Sequence, residues 1–299
     1  MILVFGTVCI DRVRRVPYLP ALGGYVEVSD EVDLLGGEAA NTAVALRTWG
    51  ADVILHSNDL GTGPIGDRLR QMVAQSGLHV DAKSMDKPGI QTPVCDVYVT
   101  PNGDRTMFGR HFSSMVADLA SLQMADWFTA EPNMPEQSRA AARLAAEAGM
   151  KVYLMDFIAE DDVFPPGSFW QCSTDWVGTR GNIQENVAWV QDWVARNKCF
   201  AILSDGPNGF VAGSPEHPVR AYPPYPAPAI VDTTGAGDVF RAGMLYGLHQ
   251  NWPIHDCMRF ASAAGCLNCR SLGATTGVPS LREIRSHIAE HDAISRQYI

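Results

Sequence analysis

Val231-Asp232-Thr233-Thr234-Gly235-Ala236-Gly237-Asp238-Val239-Phe240 is the stretch on which the reading of this chain turns. An alanine stands between two glycines, an acid follows at once, and a helical pattern opens with Phe240, Met244, Leu245 and Leu248. Small residues let a backbone approach a ligand closely. A helix N-terminus adds unpaired N–H groups and the positive end of a dipole, which together make an anion site. A carboxylate placed there repels the anion, and it makes chemical sense if it takes the proton from a hydroxyl attacking a bound phosphate. The competing reading is a capped turn in which Asp238 merely satisfies helix N–H groups.

Outward from this segment, strand-like and helix-like stretches alternate. Residues 2–5, 53–56, 151–157 and 200–203 read as strands, and 41–49, 67–75 and 135–148 as helices. Pro135 stands near one helix start and Gly149 just past its end. This rhythm predicts an α/β fold, a mostly parallel central sheet with helices on both faces. Two stretches break it. Residues 25–34 alternate apolar and polar side chains, and 92–100 and 106–112 flank Pro101-Asn102-Gly103-Asp104, a strong hairpin signal. They predict a small antiparallel β lid. The expected organisation is one domain over 1–299, with lid segments at about 12–34 and 92–112 inserted. The proline-rich 222–228 reads as an extended connection.

The net charge of -10 argues against nucleic acid and membrane as partners. A small anion can still be held by local dipoles and a divalent ion. No basic segment precedes the apolar start, and no apolar run has transmembrane length, so a cytoplasmic location is expected. The seven cysteines are scattered, which suggests reduced, buried thiols. Cys266-Leu267-Asn268-Cys269 spells C-x-x-C, yet it lacks a second pair and lies inside the helical pattern of 258–269.

The opening segment resembles the C-terminal signature of the ribokinase-like (PfkB) carbohydrate kinases, D-T-x-G-A-G-D-x-F, without a departure. The resemblance implies Asp238 as catalytic base and Gly235, Ala236 and Gly237 as an anion hole for the transferred phosphoryl group. It implies ATP as cosubstrate, with Asp232 and Thr233 beside the triphosphate and, in some members, near a monovalent cation such as K+. Gly36-Gly37-Glu38-Ala39-Ala40-Asn41 is similar to the family's G-G-x-x-x-N motif, which implies that Gly36, Gly37 and Asn41 hold sugar hydroxyls. Asp11 matches the acid near the first strand that binds the same hydroxyls, which suits a polyol because each hydroxyl must donate to something. By themselves, Asn41 reads as a helix cap and Asp11 as a loop acid.

Asn182-Ile183-Gln184-Glu185 resembles N-x-x-E, placed after a strand read at 175–177. It implies Glu185 orienting Mg2+, largely through water, with Asn182 facing the phosphates; taken alone the pair is an exposed helix start. Ser204-Asp205-Gly206-Pro207-Asn208-Gly209 resembles the nucleotide turn T-x-G-x-x-G, which carries over Ser204, Gly206 and Gly209. Ser262 and Gly273 fall on the helix and G-A turn that border adenine, though many members have Asn or His where Ser262 stands.

Three rival readings compete with this one. Gly61-Thr62-Gly63-Pro64-Ile65-Gly66 spells G-x-G-x-x-G with Asp86 downstream, as in a dinucleotide-binding dehydrogenase, but it is not on the first strand and polar Ser57-Asn58-Asp59 precede it. No Gly-Lys pair occurs, which excludes a Walker-type P-loop. A catalytically silent sugar sensor would lack the base or the anion hole, and both are present. Ribokinases proper usually carry Lys-Gly where Glu38-Ala39 stands here, so ketohexoses, sugar acids and nucleosides stay open, the last as a nucleoside kinase of the same fold. Arg105 and Arg110 of the lid are candidates to meet a charged substrate group, Arg105 foremost. The exposed strand face of the lid suggests a homodimer.

Overall fold

The computed structural model describes residues 1–80, 89–159, 162 and 165–298. In chain order its strands and helices are β1 (Ile2–Gly6), β2 (Cys9–Arg15), β3 (Asp30–Gly36), α1 (Glu38–Thr48), β4 (Val53–Ser57), α2 (Gly63–Gln75) and β5 (His79–Val80). Next come β6 (Val94–Val99), β7 (Arg105–Arg110), β8 (Trp127–Ala130), α3 (Pro135–Glu147), β9 (Lys151–Met155) and β10 (Phe169–Ser173). Then follow α4 (Thr174–Val177), α5 (Ile183–Asn197), β11 (Phe200–Ser204), β12 (Phe210–Gly213) and β13 (Arg220–Tyr222). The chain closes with α6 (Ala236–His249), α7 (Ile254–Asn268), α8 (Leu281–Glu290) and α9 (Asp292–Ser295).

The main sheet has nine strands in the order β13-β12-β11-β10-β9-β8-β1-β4-β5. Every pairing from β11 to β5 is parallel, and only the β11–β12 and β12–β13 pairings are antiparallel, so β12 alone runs against the rest. Strand β1 shows why the sequence chose this: all five residues are buried, with Ile2 and Val4 in one core and Leu3 and Phe5 in the other. Side chains alternate across a strand, so an unbroken apolar run needs cover on both faces. Helices α1, α6 and α7 supply it on one side, α3 and α5 on the other. From β1 the chain passes to β4 on one flank and later to β8 on the other. Ligands of such sheets bind at this switch point, beyond the carboxyl ends of the strands.

A second sheet has the order β3-β2-β6-β7. Its outer pairings are antiparallel and its central β2–β6 pairing is parallel. One face buries Val13, Val97 and Val99 against Leu34 and Leu272. Arg14 pairs with Glu31 and Asp96 across the strands, and Arg12 with Asp33 at 2.8 Å.

Four local expectations change. Strand β3 covers Asp30–Gly36, while residues 25–29 stay outside any strand with Tyr25 and Val28 exposed. Strand β2 was hidden by its charges, since Asp11, Arg12, Arg14 and Arg15 mask the apolar pattern around Val13. Residues 175–177 belong to helix α4, whose N-cap Ser173 accepts from the Asp175 N–H, and the preceding strand is β10. Helix α2 starts at Gly63 rather than 67, because Thr62 and Pro64 suit its first turn. The rival Asp86 lies outside the described residues. All seven cysteines are free. Among the described residues no helix is long and apolar enough to cross a membrane, and no His/Cys/Asp/Glu group is arranged to hold a metal.

Candidate active site

Helix α6 begins with Gly235 as N-cap at φ 77 and places Asp238 in its first turn. A Cβ on Gly235 would lie 2.3 Å from the Ala274 Cβ, so glycine is what lets the Gly273-Ala274 turn close on the helix N-terminus. The turn is tied from below. Asp232 accepts the Gly273 N–H at 2.8 Å through one oxygen, and the Thr234 N–H and hydroxyl through the other.

Asp238 is buried. Its Oδ2 accepts from the Asn41 side-chain amide at 2.8 Å, and its Oδ1 lies 3.5 Å from Nη2 of Arg241. Burial pushes its carboxyl well above the ordinary range, Arg241 and Asn41 pull it back, and the nearby Glu38 and Glu131 push it further up. Asn41 therefore meets Asp238 directly, and it lies inside α1 rather than capping it.

Asp11 reaches the same chamber from β2. A Cβ on Gly36 would fall 2.1 Å from the Asp11 carboxyl carbon, so the first glycine of the G-G pair makes room for this acid. Gly37 follows at φ 97 and caps α1. Burial raises the Asp11 carboxyl to about 6, against a thiol donated by Cys9 at 3.3 Å. The site is rich in acceptors: among the described residues Glu38 Oε2 and Asn41 Oδ1 are buried without a hydrogen-bond partner. Such groups cost free energy until something donates to them.

Arg105, which opens β7, donates to the Thr233 hydroxyl at 2.5 Å, and that hydroxyl donates to the Gly103 carbonyl at 3.2 Å. The β6–β7 turn thus rests on the signature loop, on the same side as Asp238. Arg110 pairs with Asp96 at 3.1 Å.

The second half of the site lies beyond β10 and β11. Asn182 is the N-cap of α5, its side-chain Oδ1 accepting the Glu185 N–H at 3.2 Å, and both side chains are exposed. Ser204 ends β11 and donates to the Cys172 carbonyl at 3.2 Å. Gly206 at φ 52 and Gly209 at φ 91 shape the turn after it. Ser262 is buried on α7 next to Tyr298.

Several buried charged groups were not singled out by the motifs. Asp205 is buried and accepts from the Gly181 N–H, the Thr174 hydroxyl at 2.9 Å, and the amides of Asn186 and Asn208. It ties the Asn182 loop to the Gly206 turn. Glu131 and Asp156 follow β8 and β9, and burial first, then Glu38, raises each to about 7. Arg241 is fully buried among these acids. The available signal was position: an acid just past a buried parallel strand points into the crevice. A half-open cleft of about 540 Å³ lined by Trp127, Lys151, Phe169 and Trp252 lies at the opposite ends of these strands and holds none of these groups.

Residues 1–152 and 174–281 match the family described as pfkB family carbohydrate kinase. The chain is 30% identical to an uncharacterized sugar kinase of Dictyostelium discoideum over 95% of its own length and 96% of that protein's. The fold is shared with a nucleoside kinase of Methanocaldococcus jannaschii, a member of the ribokinase family, at a TM-score of 0.77, 17% identity and 97% and 98% coverage. It is shared likewise with a ribokinase of Cryptococcus neoformans solved with ADP, at 0.75, 20% identity and 95% and 98% coverage.

Proposed function

The chain belongs to the pfkB family of carbohydrate kinases, and on that footing we propose that it moves the γ-phosphoryl group of ATP to a hydroxyl of a small sugar or sugar derivative. The observation that carries this is a buried carboxylate, Asp238, in the first turn of α6 beside the unpartnered acceptors of the chamber. The substrate oxygen bonds to the γ-phosphorus as the bond to the β-phosphate oxygen breaks, ADP leaves, and Asp238 receives the hydroxyl proton. The N–H groups of Gly235, Ala236 and Gly237 are the donors for the charge that develops on the phosphoryl oxygens, that of Ala236 on leaving the Thr233 carbonyl it bonds at 3.3 Å in this state. Asp11, Gly36, Gly37 and Asn41 hold the sugar, whose hydroxyls donate to the free oxygens described above.

Asn182, Ser204, Gly206, Gly209, Thr233, Ser262 and Gly273 make up the nucleotide side in this reading. Ser262 is its weakest member, since it is buried beside Tyr298. Glu185, an exposed hard oxygen donor at the start of α5, fits a Mg2+ that keeps much of its water. That ion neutralises phosphate charge when bound. A K+ ion would meet an Asp232 that already accepts three hydrogen bonds, so it adds no step here.

The four-stranded sheet serves as the lid of a single kinase unit spanning 1–299, and closing it would exclude water as a competing acceptor. Arg105 bonds Thr233 in this state and turns to the substrate on closure. Exposed Phe108, Met107 and Tyr25 on and beside this sheet support a homodimer. A nucleoside as the sugar derivative is the second reading, favoured by the likeness to the M. jannaschii nucleoside kinase. ADP release across neutral sugars, sugar acids and nucleosides tests both. Turnover of at least one class, abolished by chelator, is expected; ATP binding with no turnover of any class would leave a silent sugar binder instead.

A further inference from the structure

We propose that Arg241 is a positioning residue for phosphoryl transfer, holding Oδ1 of Asp238 while Asn41 holds Oδ2, and tying the base to α1 and to Glu131. The proposal rests on the base assigned to Asp238 above. Residues 238 and 241 stand one turn apart on the same face of α6. The guanidinium reaches three separate parts of the chain. Nε donates to the Thr42 hydroxyl at 2.9 Å and Nη2 to the Glu38 carbonyl at 2.7 Å, both on α1. Nη2 also lies 3.5 Å from Asp238 Oδ1, and Nη1 lies 3.6 Å from Glu131 Oε2, beyond β8.

Arg241 is 0% exposed, so it touches neither substrate nor solvent. It acts through others. Helix α1 carries Asn41 and α6 carries Asp238, so the fork that joins the helices also sets the 2.8 Å Asn41–Asp238 contact. A planar guanidinium with fixed donors does this, and an ammonium does not.

The charged groups around the base are Glu38 on α1, Glu131 beyond β8 and Arg241, with Asp156 beyond β9 acting on Glu38 and Arg241. Strand β9 adds the buried Tyr153 hydroxyl. Helix α7 meets α6 through Gly243–Ala261 and Ala236–Gly265, close approaches that bring no ionisable group. One cation thus stands among four acids. Without it, Asp238 would take up a proton more readily and would be held by Asn41 alone.

Removing Arg241 leaves Glu131 uncompensated, so the test pairs Arg241→Met/Glu131→Gln with Glu131→Gln as its reference. The Asp238 carboxyl is titrated by 13C NMR in labelled protein without sugar, its signal assigned by loss in Asp238→Asn. We expect its midpoint one pH unit or more higher in the double variant. The acid limb of kcat for any sugar that is turned over moves upward with it, because the base must be deprotonated to act. Arg241→Lys keeps the charge and loses the fork; it is expected to lower kcat about tenfold, with KM for ATP within about twofold. An unmoved midpoint and acid limb, or an Arg241→Lys enzyme with wild-type kcat, overturns the proposal. Failure of the base assignment has a different mark, undiminished turnover by Asp238→Asn, and it removes the proposal too.

Discussion

Asp238→Asn separates a catalytic carboxylate from a structural one, because the two roles predict opposite effects on stability. The Arg241 guanidinium at 3.5 Å attracts the charge by about 5 kcal/mol at an effective dielectric near 20. Burying a carboxylate costs several kcal/mol, and Glu38 and Glu131 add repulsion. The balance falls against the ion, as the raised Asp238 carboxyl also says. An isosteric amide keeps an oxygen for Asn41 to donate to at 2.8 Å and sheds the charge. The melting temperature at pH 8 should therefore stay level or rise. Turnover should fall on the order of 10²–10⁴-fold, the range for loss of a general base, or about 3–5 kcal/mol of barrier. ATP affinity should hold. ADP release, nucleotide titration and thermal unfolding on one preparation give all three values. Turnover within a factor of a few of wild type, or a collapse of the melting temperature, would refute this account of Asp238.

Chelator should abolish activity and Mg2+ restore it, with Glu185→Gln needing more of the ion; full rates in excess chelator would remove the metal from the mechanism. Glu131, raised to about 7 by burial, keeps its proton in the folded chain where the unfolded chain has lost it. The stability this confers is present below about pH 4 and fades as pH climbs through 7. Glu131→Gln, which cannot ionise, should match wild type near pH 5 and melt higher than wild type at pH 8, and a pH-independent difference in scanning calorimetry would contradict it. Hydrogen exchange in β2, β3, β6 and β7 should slow when sugar and nucleotide bind together. Identical exchange in both states would rule out closure.

The order of the motifs, the parallel sheet and the helix start at 235–238 were legible in the sequence because each is local. A helix start, a glycine pair and an apolar run announce themselves within a few residues. The parts that were misread were decided by partners far along the chain. Strand β2 looks charged until Asp33 and Asp96 arrive to pair its arginines, and residues 175–177 look apolar enough for a strand although β10 already fills that place. Arg241 and Glu131 belong to none of the motifs quoted from the sequence. Only the packing of α6 on α1, at the switch point of the sheet, buries both beside Asp238 and makes their charges matter. Sequence by itself determined the family and which groups stand as candidates for its chemistry. Tertiary structure decided what holds them, because burial turns a distant charge into a strong neighbour, and burial is a property of the assembled layers.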